Sequence, residues 1–244
     1  VPVYIISAIF RPDQLFFQWF GAPYRKMLYC FTHLFVEDNR SKELLEQYGI
    51  RNVTVYGDTR FDRVLDVRNQ ARELPEVERF VGKRSLTLIA GSSWPQDEEI
   101  LIPYFNEHPE MKLIIAPHEI HREHLMYIES LLKRPAVRLS DVMQDKSLLE
   151  GKDCLIVDSF GLLSSIYRYG TIAYIGGGFG AGIHNTLEAA VYGIPVLFGP
   201  RYQKFKEARD LIKVGGGFSV ASKDEFMAKM DELLTYACLL YTSP

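Results

Sequence analysis

The stretch Thr171–Pro200, TIAYIGGGFGAGIHNTLEAAVYGIPVLFGP, decides the fold. Ile172–Ile175 is a short apolar run of strand-forming residues and reads as a buried strand. Gly176, Gly177, Gly178, Gly180 and Gly182 follow, five glycines in seven residues. Such a run lets the backbone approach a ligand closely and take positive φ angles. His184-Asn185-Thr186 then supplies capping-type residues before the apolar positions Leu187, Ala190 and Val191. A helix is predicted over Asn185–Tyr192, ended by Gly193, and Ile194–Phe198 is the next strand. Strand, glycine loop, helix and strand make a βαβ unit, whose ligand side is the carboxyl edge of a parallel sheet.

The same alternation runs outward in both directions. Pro2–Ala8, His33–Val36 and Val53–Tyr56 read as strands, and Asn39–Tyr48 as a helix ending at Gly49. Gln14–Phe31 carries a dense aromatic helical pattern. In the second half, Leu86–Ala90, Lys112–Ala116, Val137 and Cys154–Val157 read as strands. Helices are predicted from about Asp97, over Ile120–Lys133, over Gly161–Tyr167 and over Lys223–Leu234. Near-continuous Val/Ile/Leu strands alternating with helices imply a parallel sheet covered on both faces. The fold class is therefore α/β. Residues 1–57 form one domain portion, 58–83 a polar interdomain linker and 84–234 a second domain. Residues 235–244 fit neither a helix stripe nor a strand alternation and read as a tail of non-native character.

Composition narrows the function. The 244 residues are 47% hydrophobic and 24% charged, with net charge −3. That balance is ordinary for a globular protein and gives no general attraction to nucleic acid. Cys30, Cys154 and Cys238 are far apart and form no metal-ligand cluster. No apolar run approaches the roughly 20 residues of a membrane helix.

The glycine loop places backbone N–H groups and a positive helix end where a phosphate would sit. Gly178, Gly182, His184 and Asn185 are the candidate binding residues. Glu188, near the first helical turn, either steadies the helix dipole or accepts hydrogen bonds from ribose hydroxyls. His184 either caps the helix or meets the ligand. Gly176-x-Gly178-x-x-Ala181 also matches the loose dinucleotide fingerprint. The strand after it ends in Gly199-Pro200-Arg201, without the acid that would hold a ribose hydroxyl, so the dehydrogenase reading is discounted.

Other loops converge on the same edge. Gly91-Ser92-Ser93-Trp94 offers the hydroxyls of Ser92 and Ser93 to phosphate or sugar oxygens, or is an ordinary turn leading to Asp97-Glu98-Glu99. Pro117-His118-Glu119 offers His118. His121 and His124 lie beyond it and read as solvated; an H-x-x-H pair without further ligands makes no metal site, and no metal or cofactor is expected. Asp158-Ser159-Phe160-Gly161 lines a base pocket through Gly161 or starts a helix. The basic run Arg201, Lys204 and Lys206 suits an anion or is a solvated face.

Three segments carry a family resemblance: Gly57-Asp58-Thr59-Arg60-Phe61-Asp62, Gly182-Ile183-His184-Asn185-Thr186-Leu187-Glu188-Ala189-Ala190 and Gly193-Ile194-Pro195-Val196-Leu197-Phe198-Gly199-Pro200. Together they resemble the 3-deoxy-D-manno-octulosonic acid (Kdo) transferases, over about Pro2 to Leu234. The resemblance implies a GT-B architecture, with a Rossmann-like sheet domain and the remnant of a second. It implies inverting, metal-independent transfer of Kdo from CMP-Kdo to a lipid A precursor, lipid IVA, in lipopolysaccharide synthesis. It also implies a peripheral protein at the cytoplasmic face of the bacterial inner membrane, attached through the first domain. In the family that first domain takes the acceptor and the second holds CMP-Kdo. The family's general-base glutamate belongs to a segment upstream, so no residue here inherits that role and the chain alone is expected to be inactive. Where the family often has Pro-Arg-His, this chain reads Pro117-His118-Glu119, and the arginine is not carried over. Two other readings remain: a different GT-B enzyme, such as a UDP-sugar transferase or epimerase, or a nucleotide-binding domain without activity of its own.

Overall fold

The computed structural model describes residues 1–57, 66, 68, 69, 71–82 and 86–242, with side chains to Thr235. Residues 58–65, 67, 70 and 83 of the predicted linker, and with them the Asp58–Asp62 part of the first family segment, lie outside the described residues. The chain divides into two compact units, Val1–Leu65 and Asp66–Pro244.

The first unit is a three-stranded parallel sheet in the order β1-β2-β3, with β1 at Tyr4–Ala8, β2 at His33–Val36 and β3 at Val53–Val55. Phe10, Phe17, Leu28, Leu34, Val36, Leu45, Ile50 and Val53 close its core. Helix α2, Asn39–Gln47, begins where the Asp38 side chain accepts the Ser41 N–H, a cap that satisfies an orphan donor. The aromatic segment 14–31 departs from the expected single helix. It forms a short 3₁₀ turn at Leu15–Phe17 and then helix α1, Ala22–Leu28. Pro23 is tolerated only in a first turn, so the helix starts beside it. Gly21 lets the chain fold back, since a Cβ there would lie 2.2 Å from the Leu15 carbonyl oxygen. The aromatic residues divide accordingly: Phe17 is buried, while Trp19 is 92% exposed.

The second unit is a seven-stranded parallel sheet in the order β10-β9-β8-β4-β5-β7-β6. Its strands are β4 Leu86–Ser93, β5 Met111–Pro117, β6 Ala136–Arg138, β7 Cys154–Ile156, β8 Ile172–Ile175, β9 Val196–Phe198 and β10 Gly217–Ser219. The helices are α3 Pro75–Val81, α4 Pro95–Glu107, α5 Arg122–Leu131, α6 Leu139–Gln144, α7 Leu163–Ile166, α8 Leu187–Ala190, α9 Lys206–Lys213 and α10 Lys223–Thr242. Alternate residues of each strand feed two separate cores. Leu88 and Ala90 join one, with Phe105 and Phe226, while Ile89 joins the other, with Phe80 and Ile166. This is why the strands read as continuous apolar runs. The α/β, GT-B-type fold expected from the sequence is the fold observed.

Several boundaries moved. Strand β4 continues through Ser93, so the predicted Gly-Ser-Ser loop is its carboxyl end. Helix α8 has only four residues, not the eight expected over Asn185–Tyr192. Helix α10 continues through Thr242, where no helical stripe was expected, because extending an established helix adds one hydrogen bond per residue ordered. Helices α3, α6 and α9 and strand β10 were not foreseen.

The strand order fixes where a ligand can sit. From β4 the chain moves to β5 and on to β6 and β7 on one side. It then returns to β8, on the other side of β4, and continues to β9 and β10. The order reverses between β4 and β8, and a crevice opens at the carboxyl ends of such a pair.

Candidate functional site

A cavity of about 450 Å³ lies at that reversal, lined by Trp94, Pro95, Gln96, Gly177, Gly180, Ala181, Gly182 and His184. Three lining residues follow β4 and five belong to the loop after β8. The two sides are bolted together by one carboxylate. Asp97, 1% exposed, accepts the Trp94 N–H at 3.0 Å, the Gly177 N–H at 2.9 Å and the Tyr174 hydroxyl at 2.8 Å. Burial still raises its pKa, because these bonds do not fully replace lost hydration.

The glycine loop is hydrogen-bonded within itself. Gly180 and Gly182 both donate to the Gly177 carbonyl, and His184 donates to the Gly176 carbonyl. Gly177 is committed to Asp97. These amides were expected to face a phosphate; they are spent on the loop's own shape. The four-residue α8 also provides a much shorter dipole than the predicted helix. Gly178 has a different role: a Cβ there would lie 2.5 Å from the Gly199 Cα, so two backbones cross at contact distance. Arg201 reinforces the crossing, its amide donating to the Gly178 carbonyl at 3.0 Å and its guanidinium to the Gly180 carbonyl.

Side chains give the cavity its chemistry. The Trp94 indole N–H donates to His184 Nε2 at 3.3 Å. His118, just beyond the end of β5, stacks on Trp94 with centroids 4.6 Å apart and lies 4.5 Å from the His184 ring. Burial, then the neighbouring His118, pushes the His184 pKa down, against a smaller opposing pull from Asp97.

The remaining predicted residues fall around this centre. Ser92 is half-buried at a positive φ of 53°. Ser93 is fully buried and donates its hydroxyl to Glu98 at 2.9 Å, into the protein and not toward the cavity. Asn185 is exposed; its amide donates to Glu188 Oε1 at 3.0 Å, and its carbonyl oxygen accepts the Leu187 N–H. Gly161 is an exposed turn residue at φ 79°, and a Cβ added there would meet no atom within 4 Å.

His124 departs from the solvated pair expected, while His121 is exposed as expected. His124 is buried, with Nε2 against both oxygens of Glu98 at 2.9–3.0 Å and Nδ1 against the Glu119 carbonyl at 2.8 Å. His121 caps α5 by accepting the His124 N–H. The Glu119, His121 and His124 ligand atoms lie within 4.8 Å of one another. Their hydrogen bonds account for that cluster as a helix cap anchored on a buried carboxylate. Burial raises the pKa of Glu98.

Trp94, Gln96 and Asp97 are the site residues that sequence reasoning missed. The available signal was Asp97 at the third helical position, where an acid reaches back to the N-cap amide.

A model of the family described as 3-deoxy-D-manno-octulosonic-acid transferase (kdotransferase) matches residues 1–63. The 3-deoxy-D-manno-octulosonic acid transferase of Aquifex aeolicus is 34% identical over 154 residues, covering 61% of this chain and 42% of that protein. The Rickettsia felis transferase is 26% identical over 230 residues, covering 91% and 49%. Among solved structures, the C-terminal CMP-Kdo binding domain of WaaA from Acinetobacter baumannii has a TM-score of 0.52 at 24% identity, covering 74% of this chain and 89% of that one. UDP-GlcNAc 2-epimerase from Neisseria meningitidis has a TM-score of 0.64 at 16% identity, covering 96% and 61%. Both structures speak to fold alone. The chain spans about half the length of the curated relatives it matches. By sequence the chain is similar to the 3-deoxy-D-manno-octulosonic acid transferases, through the family model over residues 1–63 and through curated members over as much as 91% of its length.

Proposed function

We propose that the second unit is the donor-binding half of a Kdo transferase and holds CMP-Kdo in the cavity between the ends of β4 and β8. The observation that carries this reading is the position of that cavity: it lies at the reversal of strand order, with an imidazole, an indole and a carboxamide converging there from two strands. Nucleotides occupy such crevices in doubly wound sheets. The His184 side chain, with Ser92 and His118 nearby, serves the phosphate or the Kdo carboxylate, and Glu188 serves the ribose. In the whole protein, an acceptor hydroxyl of a lipid A precursor attacks the anomeric carbon of Kdo with inversion, and CMP leaves. The acceptor side and the peripheral association with the inner membrane belong to the first unit, where Trp19 and Phe20 are exposed beside Arg25 and Lys26. Among the described residues no helix is long and apolar enough to cross a membrane. The 244 residues alone bind donor without turnover.

Calorimetry with CMP, UMP and UDP tests the reading. CMP binding that exceeds UMP binding, and that weakens in Glu188→Ala, is the expected result. Preference for UDP would favour a UDP-sugar enzyme of the same fold, and equal CMP affinity in Glu188→Ala would remove the ribose role.

A further inference from the structure

Three aromatic rings from three separate segments meet beside the cavity: Trp94 after β4 and His184 from the loop after β8 line it, and His118 after β5 packs against both. Their contacts determine the protonation of one of them. An indole N–H can only donate a hydrogen bond. The Trp94 indole lies 3.3 Å from His184 Nε2. Nε2 therefore accepts, and the proton of the neutral ring sits on Nδ1. A second proton on His184 would set two N–H groups against each other.

Neither ring is free to rearrange. The Trp94 backbone is tied to Asp97, which also holds the loop that carries His184. The indole face rests on His118. On the other side, the imidazole packs against the loop, and a Cβ on Gly177 would lie 3.2 Å from its Cδ2. Among the described residues, the charged and titratable groups that act on His184 are His118 and Asp97. All three of Asp97's hydrogen bonds go to Trp94, Tyr174 and Gly177.

We propose that Trp94 is a positioning residue that holds His184 as the neutral Nδ1–H tautomer, making it an uncharged hydrogen-bond donor to an oxyanion ligand in the cavity. Only the identity of that ligand rests on the nucleotide reading above. Recognition by an uncharged donor depends on direction, so the alignment of this ring sets affinity for a phosphate or carboxylate oxygen.

The test is long-range ¹H–¹⁵N correlation of the histidine rings in the 244-residue chain without ligand, assigned with His184→Gln and repeated on Trp94→Phe. Phenylalanine keeps a ring against His118 and removes the donor. The expected result is the Nδ1–H pattern for His184 in the parent and a shift toward Nε2–H in Trp94→Phe. CMP affinity should fall roughly three- to tenfold in that variant, the value of one neutral hydrogen bond. An Nε2–H pattern in the parent overturns the proposal even if the variant does not fold. An unchanged tautomer or unchanged CMP affinity in a folded Trp94→Phe also overturns it. If the tautomers behave as expected and the parent does not bind CMP, inorganic phosphate and acetate serve as probes. Binding of either, weakened in Trp94→Phe, upholds the positioning role and refutes the nucleotide reading; binding of neither overturns the oxyanion role.

Discussion

Asp97 accepts the backbone N–H of Gly177, 80 residues further along the chain, at 2.9 Å. One buried carboxylate thereby joins the first turn of α4 to the glycine loop and gives the cavity a fixed width. Asp97→Ala strands the Gly177 amide and the Tyr174 hydroxyl in the interior. We expect a loss of roughly 3–5 kcal/mol, since each buried polar group left unpaired costs about 1–3 kcal/mol. Asp97→Asn should cost about 1 kcal/mol, because its oxygen still accepts both amides and its NH₂ can donate to the Tyr174 oxygen. Denaturant melts of the two variants check this; equal losses would contradict the role given to the hydrogen bonds.

Gly178 and Gly161 should respond differently to alanine. At Gly178 the new Cβ meets the Gly199 backbone at 2.5–2.8 Å, and backbone cannot swing aside. A loss of roughly 2–3 kcal/mol is expected, together with a weakened cavity. Gly161→Ala meets nothing within 4 Å and carries only the strain of φ 79°, about 1 kcal/mol. Thermal melts ranking Gly161→Ala as the worse variant would refute the crossing.

Glu98 and His124 form a buried pair, the two side chains 0% and 4% exposed. Removing His124 leaves a carboxylate in the interior with Ser93 as its remaining side-chain partner. His124→Ala should cost roughly 3–5 kcal/mol. The double variant Glu98→Met, His124→Leu should cost clearly less than the two single changes added together. Additive losses in a double-mutant cycle would show that the pair is not coupled.

The His184 ring sets a pH dependence. Its folded pKa lies below the ordinary histidine value, first through burial and then through His118. As pH falls below about 6.5, the unfolded chain takes up a proton that the folded chain refuses, so stability falls with pH until the folded value is reached. His184→Gln removes this component. Its melting temperature should drop less than that of the parent between about pH 7 and pH 5. Equal drops would show that His184 titrates normally.

The local pattern of residues determined a good deal unaided. Apolar runs such as Ile172–Ile175 became strands at the predicted residues, because two covered faces leave no room for polar alternation. The glycine stretch lies where it was read, at the carboxyl end of the strand Ile172–Ile175, and the motif His184–Glu188 carried part of the family resemblance. Tertiary structure decided what each site residue does. Ser93 read as a hydroxyl for phosphate or sugar oxygens, or as part of a turn; β4 runs longer than its apolar run, and Ser93 became a buried partner of Glu98. The loop amides read as a phosphate cradle; those of Gly177, Gly180, Gly182 and His184 are bonded instead to Asp97 or to the loop's own carbonyls. His124 read as solvated; it is buried because α5 turns it onto a carboxylate 26 residues earlier in the chain. Trp94 carried no motif at all, since its importance comes from meeting His184 90 residues away. Hydrogen bonds and ring contacts between distant segments are set by strand order, and strand order is a property of the folded sheet that no local pattern encodes.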